Sequence, residues 1–176
     1  DQTKREWQKQ FSQWLMAGKV KSLLDAGAGS CSLEGVLRRS GLGPHLKPFM
    51  SFGAYDCSML RICGERGMIS FQYNWMNPLP FCKACKFDMV FQAEGMHHVP
   101  ASGWNVTLNN FDAHLSCGGY MYLSDHSCSG REYHKYVLDG KTLHWCWRDF
   151  TMDWLKRRRY RGSRLAEGIL IEKVCT

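Results

Sequence analysis

The sequence predicts an open, mostly parallel α/β sheet with helices on both faces. Three observations carry that expectation. Short strand-like apolar runs alternate with helix-like stretches along most of the chain. A glycine turn follows the first of those runs directly and opens a helical stretch. The last two apolar stretches, 142–150 and 166–174, have no helical pattern of useful length between them. They read as an antiparallel hairpin that closes the chain. The 176 residues suit one compact domain. It divides into an N-terminal helix over 1–18, an α/β core over 19–140 and the hairpin with a basic loop over 141–176.

Each element has its own signal. Trp7, Phe11, Trp14 and Leu15 fall at i, i+4, i+7 and i+8 among Lys, Arg and Gln, which predicts an amphipathic helix near 3–17. Val20 to Leu24 reads as a buried strand ending at Asp25. Leu33, Val36 and Leu37 start a second helix that stops near Gly41-Leu42-Gly43-Pro44. Pro48 to Tyr55, Met68 to Tyr73 and Phe87 to Ala93 read as strands, with a short helix over Ser58 to Glu65. Trp104, Leu108, Phe111 and Leu115 have helical spacing. Gly118-Gly119 punctuates before a strand at Tyr120 to Leu123, and Glu132 to Leu138 reads as a short helix.

Composition narrows the function classes. With 44% hydrophobic and 22% charged residues the chain is an ordinary globular sequence, which argues against disorder, collagen and coiled coil. No apolar run approaches the roughly 18 residues of a membrane span. The chain starts at Asp1, not Met, and reads as a processed or cropped product. The formal charge of +7 is local: residues 156–164 hold six Lys or Arg and no acid, so the remainder is near neutral. That segment could dock an anionic or protein partner, or be a solvated loop. Nine cysteines, an odd number without scaffold-like spacing, favour mostly reduced thiols and an intracellular or organellar setting. The sequon Asn105-Val106-Thr107 points instead to a secretory lumen.

The glycine turn is the richest segment. In Leu23-Leu24-Asp25-Ala26-Gly27-Ala28-Gly29-Ser30-Cys31 the glycines let a ligand approach the backbone, and the helix that follows offers free N–H groups. A dinucleotide fingerprint would place Gly or Ala where Ser32 stands. Asp25, two residues before the first glycine, suits a ligand with a cationic amino group better than a pyrophosphate. Electrostatics therefore favour a cofactor bearing an amino acid.

These residues resemble the first motif of class I S-adenosylmethionine-dependent methyltransferases. Leu79-Pro80-Phe81, Phe87-Asp88-Met89-Val90, His97-His98-Val99 and Gly118 to Leu123 are similar, in order and spacing, to the branch that includes ubiquinone and menaquinone biosynthesis enzymes. The run also resembles a group of plant methyltransferase-like proteins. The resemblance covers about 20–125 and implies a Rossmann-like, seven-stranded sheet with an antiparallel last strand. It implies S-adenosylmethionine as cofactor and an unidentified small-molecule or other acceptor. By position, Asp25, Gly27 and Gly29 would hold the methionine part, Asp56 the ribose, and Asn74 to Asn77 the adenine side. Gln92, Glu94 and His97 would line the floor of methyl transfer. The sequence departs from the family at Cys31, where a glycine is usual, and at Asn74 and Trp75, where an acid is common.

Other constellations stand beside this one. His97 and His98 are the candidate catalytic bases, because imidazole titrates near working pH. His126 could contact substrate from the same edge. Cys82 and Cys85 form one C-x-x-C, and with Cys57 and Cys63 could bind zinc, but the second pair lacks knuckle spacing, so no metal site is assigned. No G-x-S-x-G elbow supports a serine hydrolase. Two alternatives stand beside this reading. One is a catalytically degenerate subunit of a larger assembly, and the other an RNA-associated methyltransferase gripping phosphate through 156–164.

Overall fold

The structure, a computed structural model, describes residues 12–13, 16–27, 33, 37, 39, 49–53, 69–81, 83–93, 99–124, 134–138, 141–145, 154–155, 160–165 and 168–175. Within them lie β1 (Leu23–Ala26), β2 (Phe49–Gly53), β3 (Ile69–Gln72), β4 (Phe87–Ala93), helix α1 (Trp104–Ala113) and β5 (Leu115–Ser124). They continue with β6 (His134–Leu138), β7 (Lys141–Trp145), β8 (Tyr160–Leu165) and β9 (Gly168–Lys173). β1 pairs in parallel with β2 and β4, β2 with β3, and β4 with β5. β9 runs antiparallel to β5 and to β8, so the sheet is mixed, in the order β3-β2-β1-β4-β5-β9-β8.

The central strands are apolar at consecutive positions because both faces of the sheet are covered. Leu24, Ala26, Val90, Met121, Leu123 and Ile171 pack on one side with Trp104, Leu108 and Phe111 of α1. Leu23, Met89, Phe91 and Tyr122 pack on the other with Val20, Leu33 and Leu37. Leu33 and Leu37 are helical and one turn apart, as their spacing predicts. The Trp104 indole N–H donates to the Val99 carbonyl at 2.8 Å, which satisfies a buried donor at the start of α1. At the other end of α1, the Lys173 ammonium bonds the Asp112 carbonyl and pairs with its carboxylate, both at 2.9 Å. A cation there complements the helix C-terminus and ties β9 to it.

Four expectations need correction. Residues His134–Leu138 are a strand paired with β7, not part of a helix. Asp139-Gly140, between the paired Leu138 and Lys141, is the hairpin signal that the helical reading overlooked. Residues 166–174 do not pair with 142–150. β9 pairs with β5 and with β8, and β8 arises inside the basic segment. Charge did not prevent a strand there, because ladder bonds are made by the backbone. Gly118-Gly119 does not precede β5 but lies within it. The β4–β5 register slips between Phe87 and Met89, Gly118 takes φ +69°, and a Cβ on Gly119 would stand 2.9 Å from the Asp88 carbonyl oxygen.

The fourth correction concerns the thiols. Cys117 and Cys175 form a disulfide, and Cys85 is also disulfide-bonded. Extending the antiparallel β5–β9 register three residues past Tyr120 and Glu172 sets Cys117 opposite Cys175. The 58-residue separation hides this in sequence. Disulfide-bonded Cys85 offers no thiolate to zinc.

Two outcomes are expected. Leu108→Ala, at a fully buried α1 position, should cost about 2–5 kcal/mol in urea unfolding. A loss below about 1 kcal/mol would mean that α1 does not seal the core as described. Replacing both Cys117 and Cys175 by Ser should cost about 2–4 kcal/mol, and non-reducing peptide mapping should find the cross-link in the parent chain.

Candidate functional site

Parallel pairing brings the C-terminal ends of β1, β2, β4 and β5 to one edge of the sheet, where ligands of open α/β sheets bind. The other end of the β1–β4 pair is clamped. The Asp88 carboxylate accepts the N–H groups of Lys21 at 2.8 Å and Ser22 at 3.1 Å. The Ser22 hydroxyl in turn accepts the Asp88 N–H at 2.9 Å. This sets the register in which Asp25 stands beside Phe91 and Ala26 beside Gln92.

Asp25 is 2% exposed and shares the sheet face of Leu23. Burial raises its carboxyl from the ordinary 3.8 to about 7. A cationic group delivered beside it would restore the charged form. Gly27, immediately past β1, takes φ +82°, a conformation that strains any L side chain. A Cβ there would also stand 2.9 Å from Cζ2 and Cη2 of Trp75. Glycine is required on both counts.

The segment after β3 is built by its own side chains. The Asn74 side-chain oxygen accepts the Met76 N–H at 3.0 Å, an Asx turn. Tyr73 donates its hydroxyl to the Pro78 carbonyl. The Asn110 side-chain amide donates to the carbonyls of Trp75 at 2.7 Å and Asn77 at 2.8 Å, which fixes the segment to α1. Trp75, only 3% exposed, is thereby held against Gly27 and edge-on to Phe111. Among the described residues, the indole N–H of Trp75 is buried without an acceptor.

The predicted site residues therefore divide. Asp25, Gly27 and Gln92 all lie near the C-terminal ends of β1 and β4, Asp25 beside Phe91 and the fully buried Gln92 beside Ala26. Asn74 shapes its segment through its side-chain oxygen. Gly29, Cys31, Asp56, Glu94, His97, His98 and His126 lie outside the described residues. The sequence places Trp75 only within the adenine-side stretch and as a departure from an acid, and its contact with the glycine turn is missed. No local pattern encodes that contact. Among the described residues no group of three or more His, Cys, Asp or Glu could hold a metal, and no helix is long and apolar enough to cross a membrane.

No protein-family model matches this chain, and no curated protein matches it in sequence. Solved structures do resemble it. The S-adenosylmethionine-bound CalS10 of Micromonospora echinaspora, an amino pentose methyltransferase of calicheamicin biosynthesis, superposes with a TM-score of 0.70 at 12% identity, over 96% of this chain and 91% of that one. The N-methyltransferase NodS of Bradyrhizobium japonicum WM9 gives 0.66 at 15% identity, over 99% and 98%. The glycopeptide N-methyltransferase MtfA complexed with sinefungin gives 0.62 at 14% identity, over 96% and 92%. At these identities the likeness establishes the fold, which is the Rossmann-like fold of S-adenosylmethionine-dependent methyltransferases.

The residues fit the amino-acid end of that cofactor. A buried carboxyl precedes a turn that only glycine can make, and a buried donor without an acceptor among the described residues lies against it. A pH dependence follows. Between pH 3.8 and about 7 the folded chain keeps a proton on Asp25 that the unfolded chain has lost. Stability from this group is therefore full at low pH and falls as pH rises through that window. Asp25→Asn should remove that fall, measured by urea unfolding at pH 4 to 8. An unchanged profile would show that Asp25 is not the group responsible.

Proposed function

We propose that the chain is a class I S-adenosylmethionine-dependent methyltransferase acting on a small-molecule or other acceptor. The buried carboxyl of Asp25 near the end of β1, two residues before the positive-φ Gly27, carries this reading. In it the seven strands β3-β2-β1-β4-β5-β9-β8 are the complete class I sheet, with antiparallel β9 inserted beside β5.

Asp25 binds the ammonium of the cofactor's methionine part, and Gly27 and Gly29 let that part lie against the backbone. Asp56 takes the ribose hydroxyls. The Asn74 turn shapes the adenine side, and Gln92 forms the floor below the reacting group. The bound cofactor supplies an activated methyl on a sulfonium. His97 and His98 orient the acceptor and take its proton as the methyl leaves the donor. The basic segment 156–164 is the docking surface for an anionic acceptor or partner.

Calorimetric titration with S-adenosylmethionine and S-adenosylhomocysteine tests the reading. Micromolar binding is expected, weakened about 10- to 100-fold by Asp25→Ala. A screen of amine and hydroxyl acceptors then follows turnover. A folded chain that binds neither ligand would replace this reading with a structural subunit.

A further inference from the structure

The sequon Asn105-Val106-Thr107 has no part in the site described above. It lies in the first turn of α1. Asn105 and Val106 are both exposed, Val106 at 39%, so a bulky group on Asn105 would extend into solvent. The other asparagines of α1 serve the fold. Asn110 donates to the carbonyls of Trp75 and Asn77, and Asn109 accepts the Trp154 indole N–H at 3.2 Å. Neither they nor Asn74 and Asn77 have Ser or Thr two residues on.

Thr107 is the unusual member. It is completely buried, and among the described residues its hydroxyl has no hydrogen-bond partner. A helical threonine can turn its hydroxyl back to a carbonyl of the preceding turn, and this one makes no such bond. An unpaired buried hydroxyl costs the fold stability, and valine fills nearly the same volume without that cost. The packing of α1 therefore gives no reason for threonine here. The sequon does, because its recognition requires Ser or Thr at that position. That recognition takes place on the extended chain, before α1 forms and buries the hydroxyl.

The thiols supply the compartment. Cys117 and Cys175, 58 residues apart, are linked, and Cys85 is disulfide-bonded too. Disulfides form and persist in oxidising surroundings such as the secretory lumen, where sequons are also glycosylated. The two sets of observations are independent, since one concerns cysteines on and beyond the strands and the other the first turn of a helix.

We propose that Asn105 is an N-glycosylation site, filled in the secretory lumen before the chain folds. The proposal does not depend on the cofactor reading. The side-chain amide nitrogen of Asn105 attacks the anomeric carbon of an oligosaccharide carried on a lipid diphosphate. A carbon–nitrogen bond forms and the carbon–oxygen bond to the diphosphate breaks. The amide gives up one proton, and the lipid diphosphate leaves with the bonding electrons. Folding then buries Thr107 and leaves the glycan on the exposed side of α1.

The protein isolated from the cells that produce it tests this without a variant. Treatment with a peptide N-glycosidase in heavy-oxygen water should speed its migration on a denaturing gel. It should also convert Asn105 to oxygen-labelled Asp, read by peptide mass mapping. An unmodified Asn105 would overturn the proposal. Three variants made in the same cells check the acceptor. Asn105→Gln and Thr107→Val should each lose the glycan-dependent gel shift entirely, and Thr107→Ser should keep it. Each should retain the Cys117–Cys175 cross-link, so that loss of the glycan is loss of the acceptor and not of the compartment or the fold. A Thr107→Val chain that keeps the glycan would also overturn the proposal.

Discussion

The parallel pairing of β1 with β4 is the constraint on which the rest of the site depends. It is held at its start by Asp88, whose carboxylate takes two backbone N–H groups from the segment entering β1. These bonds satisfy donors that precede the ladder, and they set which β1 residue lies beside which β4 residue. A one-residue slip would turn Leu24 and Ala26 to the opposite face and swing Asp25 to the face they leave. The clamp lies at one end of the sheet, and its consequence at the other end is a carboxyl held at a fixed place beside a glycine turn.

Burial on both faces makes that arrangement rigid. α1 covers one face, and Val20, Leu33 and Leu37 cover the other. An acid at the end of such a strand is desolvated, and its pKa rises for that reason alone. The same packing presses Trp75 onto Gly27 and, among the described residues, leaves its N–H without an acceptor. The buried Asp25 carboxyl and Trp75 indole N–H are each costly to the fold. Sites that bind tightly often carry such local costs, because the ligand relieves them.

β9 contributes from the other side of the sheet. It runs against β5, its Lys173 holds the end of α1, and its register brings Cys175 to Cys117. One strand thus joins a helix terminus, a sheet edge and a covalent link. Similar superpositions over nearly the full chain at 12–15% identity fit this picture. A layered sheet can keep its geometry while most side chains change, because volume and pattern, more than identity, fill the core.

Local signals in the sequence determined a good deal. The strand at Phe87 to Ala93, the helical spacing of Trp104, Leu108 and Phe111, and Asp25 before a glycine turn are properties of neighbouring residues. Period and turn chemistry act over such short distances, so these features were legible directly. The tertiary structure decided what distance along the chain conceals. The placement of β8 inside a basic segment, the β6–β7 pair, the Cys117–Cys175 link and the seat of Trp75 on Gly27 join residues that no local pattern relates. The physical reason is that strand partners and buried contacts are chosen by the packing of the whole sheet. A stretch's own composition states only what it can become.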